Sequence, residues 1–405
     1  MDWLDAGLRR GPTSPSPPEE SEPRLVERIR SEIAAGGPIT FARFMELALY
    51  EPELGYYRTA VERPGWGGDF LTSPDTHPIF GAAIARQLDE VYRRLGSPAR
   101  FVVREYGPGS GSLGLAVLQA LAGEGRLGQV AGSPELARAI RYAPIEINPH
   151  RTTELVERLG AAGYARSLEL GLAPDAPETG VVVANEFLDA LPVHRLVGRS
   201  GGIRELLVGW EDGRFVELEG EPSSPALADR LEVEGVRLEE GARGEVCLAI
   251  DDWVSETSAG LERGVVLVVD YGFPAADLYS QERAGGTLRA YAGHHVHDDW
   301  TVAVGRQDLT AHVDFTALEL AAVAAGLVPL GRTSQAEFLV GSGLDELLEA
   351  VRSDPGTTID EWLAIRSAVR RLLDPRALGG FRVALLGRGI EPEPPLRGLV
   401  YRFDR

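Results

Sequence analysis

The run Glu105-Tyr106-Gly107-Pro108-Gly109-Ser110-Gly111-Ser112-Leu113-Gly114 decides the fold. It follows a strand predicted over 101–105 and opens a helix predicted over 112–121, the setting of a nucleotide-binding turn. Glycine allows a sharp reversal and lets a ligand approach the main chain closely. Taken alone, Gly109-x-Gly111-x-x-Gly114 suggests a dinucleotide site. Two details point instead to S-adenosylmethionine. Glu105 ends the strand two residues before the first glycine, where an anion would repel a pyrophosphate but suits an ammonium and a sulfonium. Pro108 also removes an N–H from a loop that would otherwise wrap phosphate. The expected cofactor contacts here are Glu105, Gly107, Pro108, Gly109 and Gly111.

Strand–helix alternation continues outward from this turn. A second strand is predicted over 143–148, with Glu146 near its end placed to accept hydrogen bonds from ribose hydroxyls. A helix follows over about 151–159. The apolar run Val181 to Ala184 reads as a third strand and Val265 to Val269 as a fourth. Apolar strands separated by helices imply a parallel sheet covered on both faces. Asn185-Glu186-Phe187-Leu188-Asp189-Ala190-Leu191-Pro192 follows the third strand, where ligands of such sheets bind. Glu186 and Asp189 are therefore the first catalytic candidates, with Asn185 as a further cofactor contact. Acids are also favoured at a helix start for purely structural reasons.

Residues 193–218 alternate between apolar and polar with glycine turns, an antiparallel insertion within about 191–250. A helix is expected over 315–325, and late strands near 337–340 and 381–386. Upstream, helices are predicted over 25–35, 41–50 (with Thr40 as N-cap) and 78–95. Between them, Glu51 to Pro74 is a long glycine- and aromatic-rich loop, a length usually reserved for function. It carries Asp69, the third catalytic candidate. The organisation expected is a disordered tail over 1–22, a helical cap with its loop over 23–98, and a Rossmann-like α/β domain over 99–405.

Composition narrows the chemistry further. All 41 basic residues are arginine, so no Schiff-base or Walker-type lysine exists. A net charge of −20 argues against nucleic-acid binding, which needs a basic face. The single cysteine, Cys247, sits in an apolar run and reads as a buried hydrophobe, so no intrachain disulfide or cysteine-rich metal site is expected. No metal is expected. No apolar run approaches the ~20 residues needed to span a bilayer, and no secretory h-region is evident. The cytoplasm is the expected location.

An ordered series of segments resembles the MidA-type methyltransferases, which include the mitochondrial complex I assembly factor that methylates an arginine. The segments are Phe44 to Tyr50 with Glu51-Pro52, Gly55-Tyr56-Tyr57, Gly68 to Pro74, Phe80-Gly81, Glu105 to Gly109, Asn185 to Pro192, Asp270-Tyr271-Gly272 and Leu309 to Phe315. They cover roughly residues 24–390. The resemblance implies a class I methyltransferase fold with a helical N-terminal segment over the cofactor. It also implies S-adenosylmethionine as cofactor and an arginine of a protein as methyl acceptor, with a complex I subunit as one candidate. Ser110 departs from the family's arginine in this turn, as do Asp75-Thr76-His77 and Ala292 from its usual residues. Two rival readings remain open: a small-molecule O- or N-methyltransferase, and an assembly factor that binds the cofactor without turnover. His294, His295 and His312 are more readily structural than catalytic.

Overall fold

The computed structural model describes residues 20–59, 73–171, 176–292 and 295–403. Its centre is a six-stranded sheet. The strands are β1 (Phe101–Tyr106), β2 (Ile140–Ile145), β3 (Glu178–Asn185), β8 (Leu261–Asp270), β9 (Val328–Ser334) and β10 (Arg382–Arg388). The order across the sheet is β9-β10-β8-β3-β1-β2. β2, β1, β3 and β8 run parallel, while β10 is antiparallel to both β8 and β9. The chain steps from β1 out to β2 and then crosses back to β3. That reversal opens a crevice at the carboxyl ends of β1 and β3, where such sheets take their ligands.

Valines at 181–183, 265, 266, 268 and 269 make β3 and β8 buried on both faces, as β-branched residues in a covered parallel sheet should be. One face carries α3 (Ile79–Arg94), α4 (Ser112–Leu121) and α5 (Pro149–Ala161), which bury Phe80, Leu118, Leu155 and Leu159 against Phe101 and Val103. The other carries α6 (Ala249–Ala259) and α7 (Phe315–Ala324), with Trp253, Phe315 and Leu318 against Val182 and Val268. The mixed α/β class I architecture read from the sequence is the one observed.

A second core lies beside the sheet. α1 (Pro23–Gly36) and α2 (Phe41–Tyr50) pack Leu25, Ile29, Phe41, Phe44 and Leu49 against Val208, Phe215 and Trp300. Trp300 meets Phe41 edge-on at 5.3 Å and Phe44 at 5.0 Å. The residues 193–218 form antiparallel strands β4 (His194–Arg199), β5 (Gly202–Glu211) and β6 (Arg214–Gly220), and β4 also pairs with β7 (Arg243–Val246). Ile39–Thr40 adds to the edge of β5, joining the cap helices to the insertion. Thr40 caps α2 by accepting from the Arg43 N–H at 3.1 Å. Residues 1–19 of the expected tail lie outside the described residues. Ser21 and Glu22 are tied to the main chain of Val304.

Two local expectations are corrected. Residues 337–340 are not a strand but part of a helix, Gln335–Gly341. Ser334 accepts from the Glu337 N–H while the Glu337 carboxylate accepts from the Ser334 N–H, a capping box that starts the helix. The short apolar run Phe338-Leu339-Val340 fits either periodicity, and only this reciprocal cap decides it. The edge strand is instead Val328–Ser334, just before the cap. β2 also begins and ends earlier than its apolar pattern suggested, leaving Glu146 just beyond it.

Candidate active site

The glycine turn is built by backbone geometry. Gly107, Gly109 and Gly111 have φ of 62°, 54° and 78°, the left-handed region that glycine adopts without steric cost. The Gly107 N–H donates to the Ile145 carbonyl at 3.0 Å, and the Gly111 N–H closes the turn on the Pro108 carbonyl at 2.9 Å. Around Gly109, nothing among the described residues lies within 4 Å of the place a Cβ would take, so among them the turn faces open space at the end of β1. Gly114 has a different reason: a Cβ there would stand 2.3 Å from the Tyr142 ring. The third glycine of the run thus serves packing between helix and sheet. Ser110 receives a guanidinium from α5. Arg158 Nη1 donates to the Ser110 hydroxyl at 3.0 Å and to the Ser112 hydroxyl at 2.9 Å.

Two carboxylates flank this turn. Glu105 lies beneath it, buried on the helix-covered face, and accepts from the Tyr142 hydroxyl at 2.7 Å. Burial pushes its carboxyl up to about 7, while the tyrosine hydrogen bond pulls the other way. Glu146 lies beside the turn. One oxygen accepts from the Gly109 N–H at 3.1 Å and the other from the Asn148 N–H at 2.8 Å. Burial raises its pKa, opposed by these N–H donors. Glycine turn, Glu146 and open space form one cradle, and the residues present fit a nucleoside carrying a charged amino-acid tail.

Beyond the end of β3 stands an acid turn. Glu186 adopts a left-handed φ of 50°, and its N–H donates to the Val269 carbonyl at 2.8 Å. Its Oε1 accepts from the Ser73 N–H at 3.0 Å and the Asn185 amide at 3.3 Å. Asp189 is buried, and its Oδ2 accepts from the Tyr271 hydroxyl at 2.5 Å. Asp270 lies wholly buried at the end of β8. Its Oδ2 accepts from the N–H groups of Phe187, Leu188 and Asp189, and its Oδ1 from that of Tyr271. Burial, aided by nearby Asp189, raises Glu186 to about 8 and opposes the Ser73 N–H. Burial likewise raises Asp189 to about 6, with the Tyr271 hydroxyl pulling it down.

The cap reaches both parts. Tyr50 and Tyr57 stack at 5.5 Å. Tyr50 donates to the Ala190 carbonyl at 2.8 Å, and Tyr57 to both oxygens of Asp308 at 2.8 and 2.9 Å. Arg58 donates to the Ile147 carbonyl at 2.7 Å, and the Asn148 amide to the carbonyls of Tyr57 and Thr59. The structure therefore brings Gly107 to Gly111 and Glu146 together in one place, and Asn185, Glu186 and Asp189 in another. Asp69 and His294 lie outside the described residues. His312 meets the Tyr271 ring edge-on at 5.3 Å. Cys247 has its thiol pushed up to about 12 by burial, as a structural cysteine should. Sequence reasoning missed Tyr50, Tyr57, Asp270, Tyr271 and Asp308 as parts of the site. Asp270 and Tyr271 did carry a signal, since they stand at the carboxyl end of an apolar strand.

Comparison with known proteins identifies the family. A profile of S-adenosyl-L-methionine-dependent methyltransferases matches residues 83–333. The mitochondrial protein arginine methyltransferase NDUFAF7 homolog of Drosophila melanogaster is 31% identical over 394 residues, covering 91% of this chain and 85% of that one. Mitochondrial protein arginine methyltransferase NDUFAF7 of Danio rerio is 29% identical, covering 88% and 84%. A candidate methyl transferase from Burkholderia thailandensis, crystallised with S-adenosyl-homocysteine, superposes with a TM-score of 0.84 at 34% identity, covering 97% of this chain and 99% of that one. The cytoplasmic location expected from the sequence is corrected by these names, because the animal relatives are mitochondrial proteins. A single cysteine and an ordinary composition do not tell one reducing compartment from another. The chain belongs to the S-adenosylmethionine-dependent methyltransferases, with S-adenosylmethionine as its cofactor.

Proposed function

We propose that this methyltransferase modifies an arginine of a protein partner, with Glu186 and Asp189 orienting the guanidinium and Asp69 assisting from the loop. The observation that carries this reading is the acid turn. Two carboxylates and an amide, Asn185, stand together beyond β3, beside the strand whose glycine turn faces the open cradle. The names of the animal relatives support the same acceptor.

The cofactor supplies the reactive methyl group on a sulfonium; the protein supplies position and field. Gly107 to Gly111 and Glu146 would hold the cofactor, the glycines by letting it approach the backbone and Glu146 by accepting from its hydroxyls in place of its present N–H partners. A guanidinium is a poor nucleophile because its charge is delocalised. Carboxylates gripping it through two parallel hydrogen bonds fix its plane and aim one nitrogen. Alignment for in-line displacement then supplies much of the acceleration. The test is a deletion-strain extract incubated with enzyme and methyl-labelled cofactor, followed by mass spectrometry. Label on a protein arginine is the expected result. Label only on a metabolite overturns the acceptor, and absence of any label favours an assembly factor without turnover.

A further inference from the structure

Asn185 and Asp189 each leave one side-chain oxygen, Oδ1, buried and without a hydrogen-bond partner among the described residues. The two residues are 9% and 6% exposed, so water does not readily serve these atoms. A buried acceptor left unsatisfied costs about 1–3 kcal/mol, and natural sites keep such atoms for a reason. Both lie in the turn that carries Glu186. Neither Glu186, Asp189 nor Asp270 makes an ion pair with an arginine or histidine among the described residues. Three carboxylates thus stand close together without an ion pair among the described residues.

The hydrogen bonds show where a proton can reside. Both Asp270 oxygens are occupied by N–H donors, three on Oδ2 and one on Oδ1, which suits only the ionised form. Glu186 Oε1 is likewise taken by two donors, and Asp189 Oδ2 by Tyr271. Among the described residues, that leaves Asp189 Oδ1, which has no hydrogen-bond partner, and Glu186 Oε2 as the places for a proton. Among the described residues, the other titratable groups set against the cluster are Asp75 from the short helix after the loop, Tyr50 from α2, Asp308 through Tyr57, His312 against the Tyr271 ring, and Arg382 opposite Asp270 on β10. Like charges this close do not all ionise in a buried site.

We propose that the acid turn holds a proton on Glu186 or Asp189 when empty and releases it when a planar cation with several N–H donors enters. This rests on the arginine reading of the same site. The cation fills the open oxygens of Asn185 and Asp189, and its charge replaces that of the departed proton. During transfer the sulfonium carbon–sulfur bond breaks, its electron pair stays on sulfur, and a nitrogen–carbon bond forms. The methylated nitrogen then sheds one proton, for which the ionised Glu186 or Asp189 is the acceptor. Tyr271 is a positioning residue: its hydroxyl fixes Asp189 so that Oδ1 is the free oxygen.

Infrared difference spectroscopy tests this on the full chain carrying S-adenosyl-homocysteine, with methylguanidinium and methylammonium as probes. At neutral pH the probe-free protein should show a protonated-carboxyl band that is absent in Glu186→Gln or in Asp189→Asn. Methylguanidinium should remove the band, and Tyr271→Phe should require more probe while keeping the fold by circular dichroism. No band in the probe-free protein, or a band that neither probe clears at any concentration short of unfolding, overturns the exchange. A band cleared by methylammonium but not by methylguanidinium keeps the exchange and overturns the arginine reading, so the two failures are distinct.

Discussion

The glycine turn draws its parts from one run of chain, Glu105 to Gly114, together with Glu146 and Asn148 on the next strand's exit. The acid turn depends on side chains from four separate stretches: Tyr50 and Tyr57, Asn185 to Ala190, Asp270 and Tyr271, and Asp308. The first is made mostly of backbone, and its specificity lies in what is missing, namely side chains. The second is made of buried ionisable groups whose charge depends on one another. A cradle of backbone tolerates drift in distant sequence. A cage of carboxylates does not, because each member sets its neighbours' protonation. That contrast fits a reaction in which the cofactor is shared across a family and the acceptor is particular to each branch.

The largest effect should come from closing the first half. Gly109→Val fills the open face of the turn at a left-handed position that a β-branched residue resists. Cofactor at 100 times its dissociation constant should stabilise the native protein by about 2.7 kcal/mol, and the variant should lose that thermal shift together with turnover. A variant that keeps the shift would show that the cofactor is held elsewhere.

Next comes the second half. Glu186→Gln keeps the shape but removes the charge, and turnover should fall roughly 100-fold while the cofactor's thermal shift stays. Full activity would remove Glu186 from the mechanism. The same variant has a stability signature. Burial raises Glu186 from its ordinary 4.5 to about 8, so the folded state holds a proton there that the unfolded chain gives up. Its contribution is fully present below about 4.5 and is lost as pH rises through about 8. Glu186→Gln should therefore melt higher than the parent in alkaline buffer, an active-site residue kept at some cost to stability.

Smaller still is Glu146→Ala, which should weaken cofactor binding by about 1.5–3 kcal/mol through lost hydrogen bonds to a charged acceptor. Calorimetry with S-adenosyl-homocysteine measures it, and unchanged affinity would confine Glu146 to holding the turn. The smallest effect belongs to a reference carboxylate outside both halves. Glu337 is held at about 2 because, against the cost of burial, the Ser334 N–H and the Thr333 hydroxyl favour its ionised form. Its stabilisation is present above its ordinary value of 4.5 and is lost as pH falls through about 2. Glu337→Gln should flatten the acid limb of the stability curve in that window and leave turnover unchanged.

The same contrast explains what could be read from the sequence. The glycine turn, its strand and its helix are local, so periodicity and composition reveal them. Thr40 before α2 and the valine runs of β3 and β8 were legible for the same reason. The place of Glu105 in the chain is legible in the sequence, whereas the direction of its side chain depends on the pleat and on Tyr142 from another strand. Tyr50, Tyr57 and Asp308 gain meaning only when the cap folds over the sheet. The misassigned strand at 337–340 failed on a cap whose two hydrogen bonds join residues three apart, which apolar periodicity alone does not register.

One feature of the sheet bears on how the protein is made. β10 inserts between β8 and β9, both of which precede it in the chain. While the ribosome is still adding the segment that joins them, β8 presents an unpaired apolar edge. Exposed edges of this kind recruit strands from other chains. The nascent polypeptide therefore stays vulnerable until β10 is made, after all four parallel strands have been synthesised. A chaperone that guards late folding, or cofactor that binds the parallel half early, would raise the yield of native protein at that stage more than at any other.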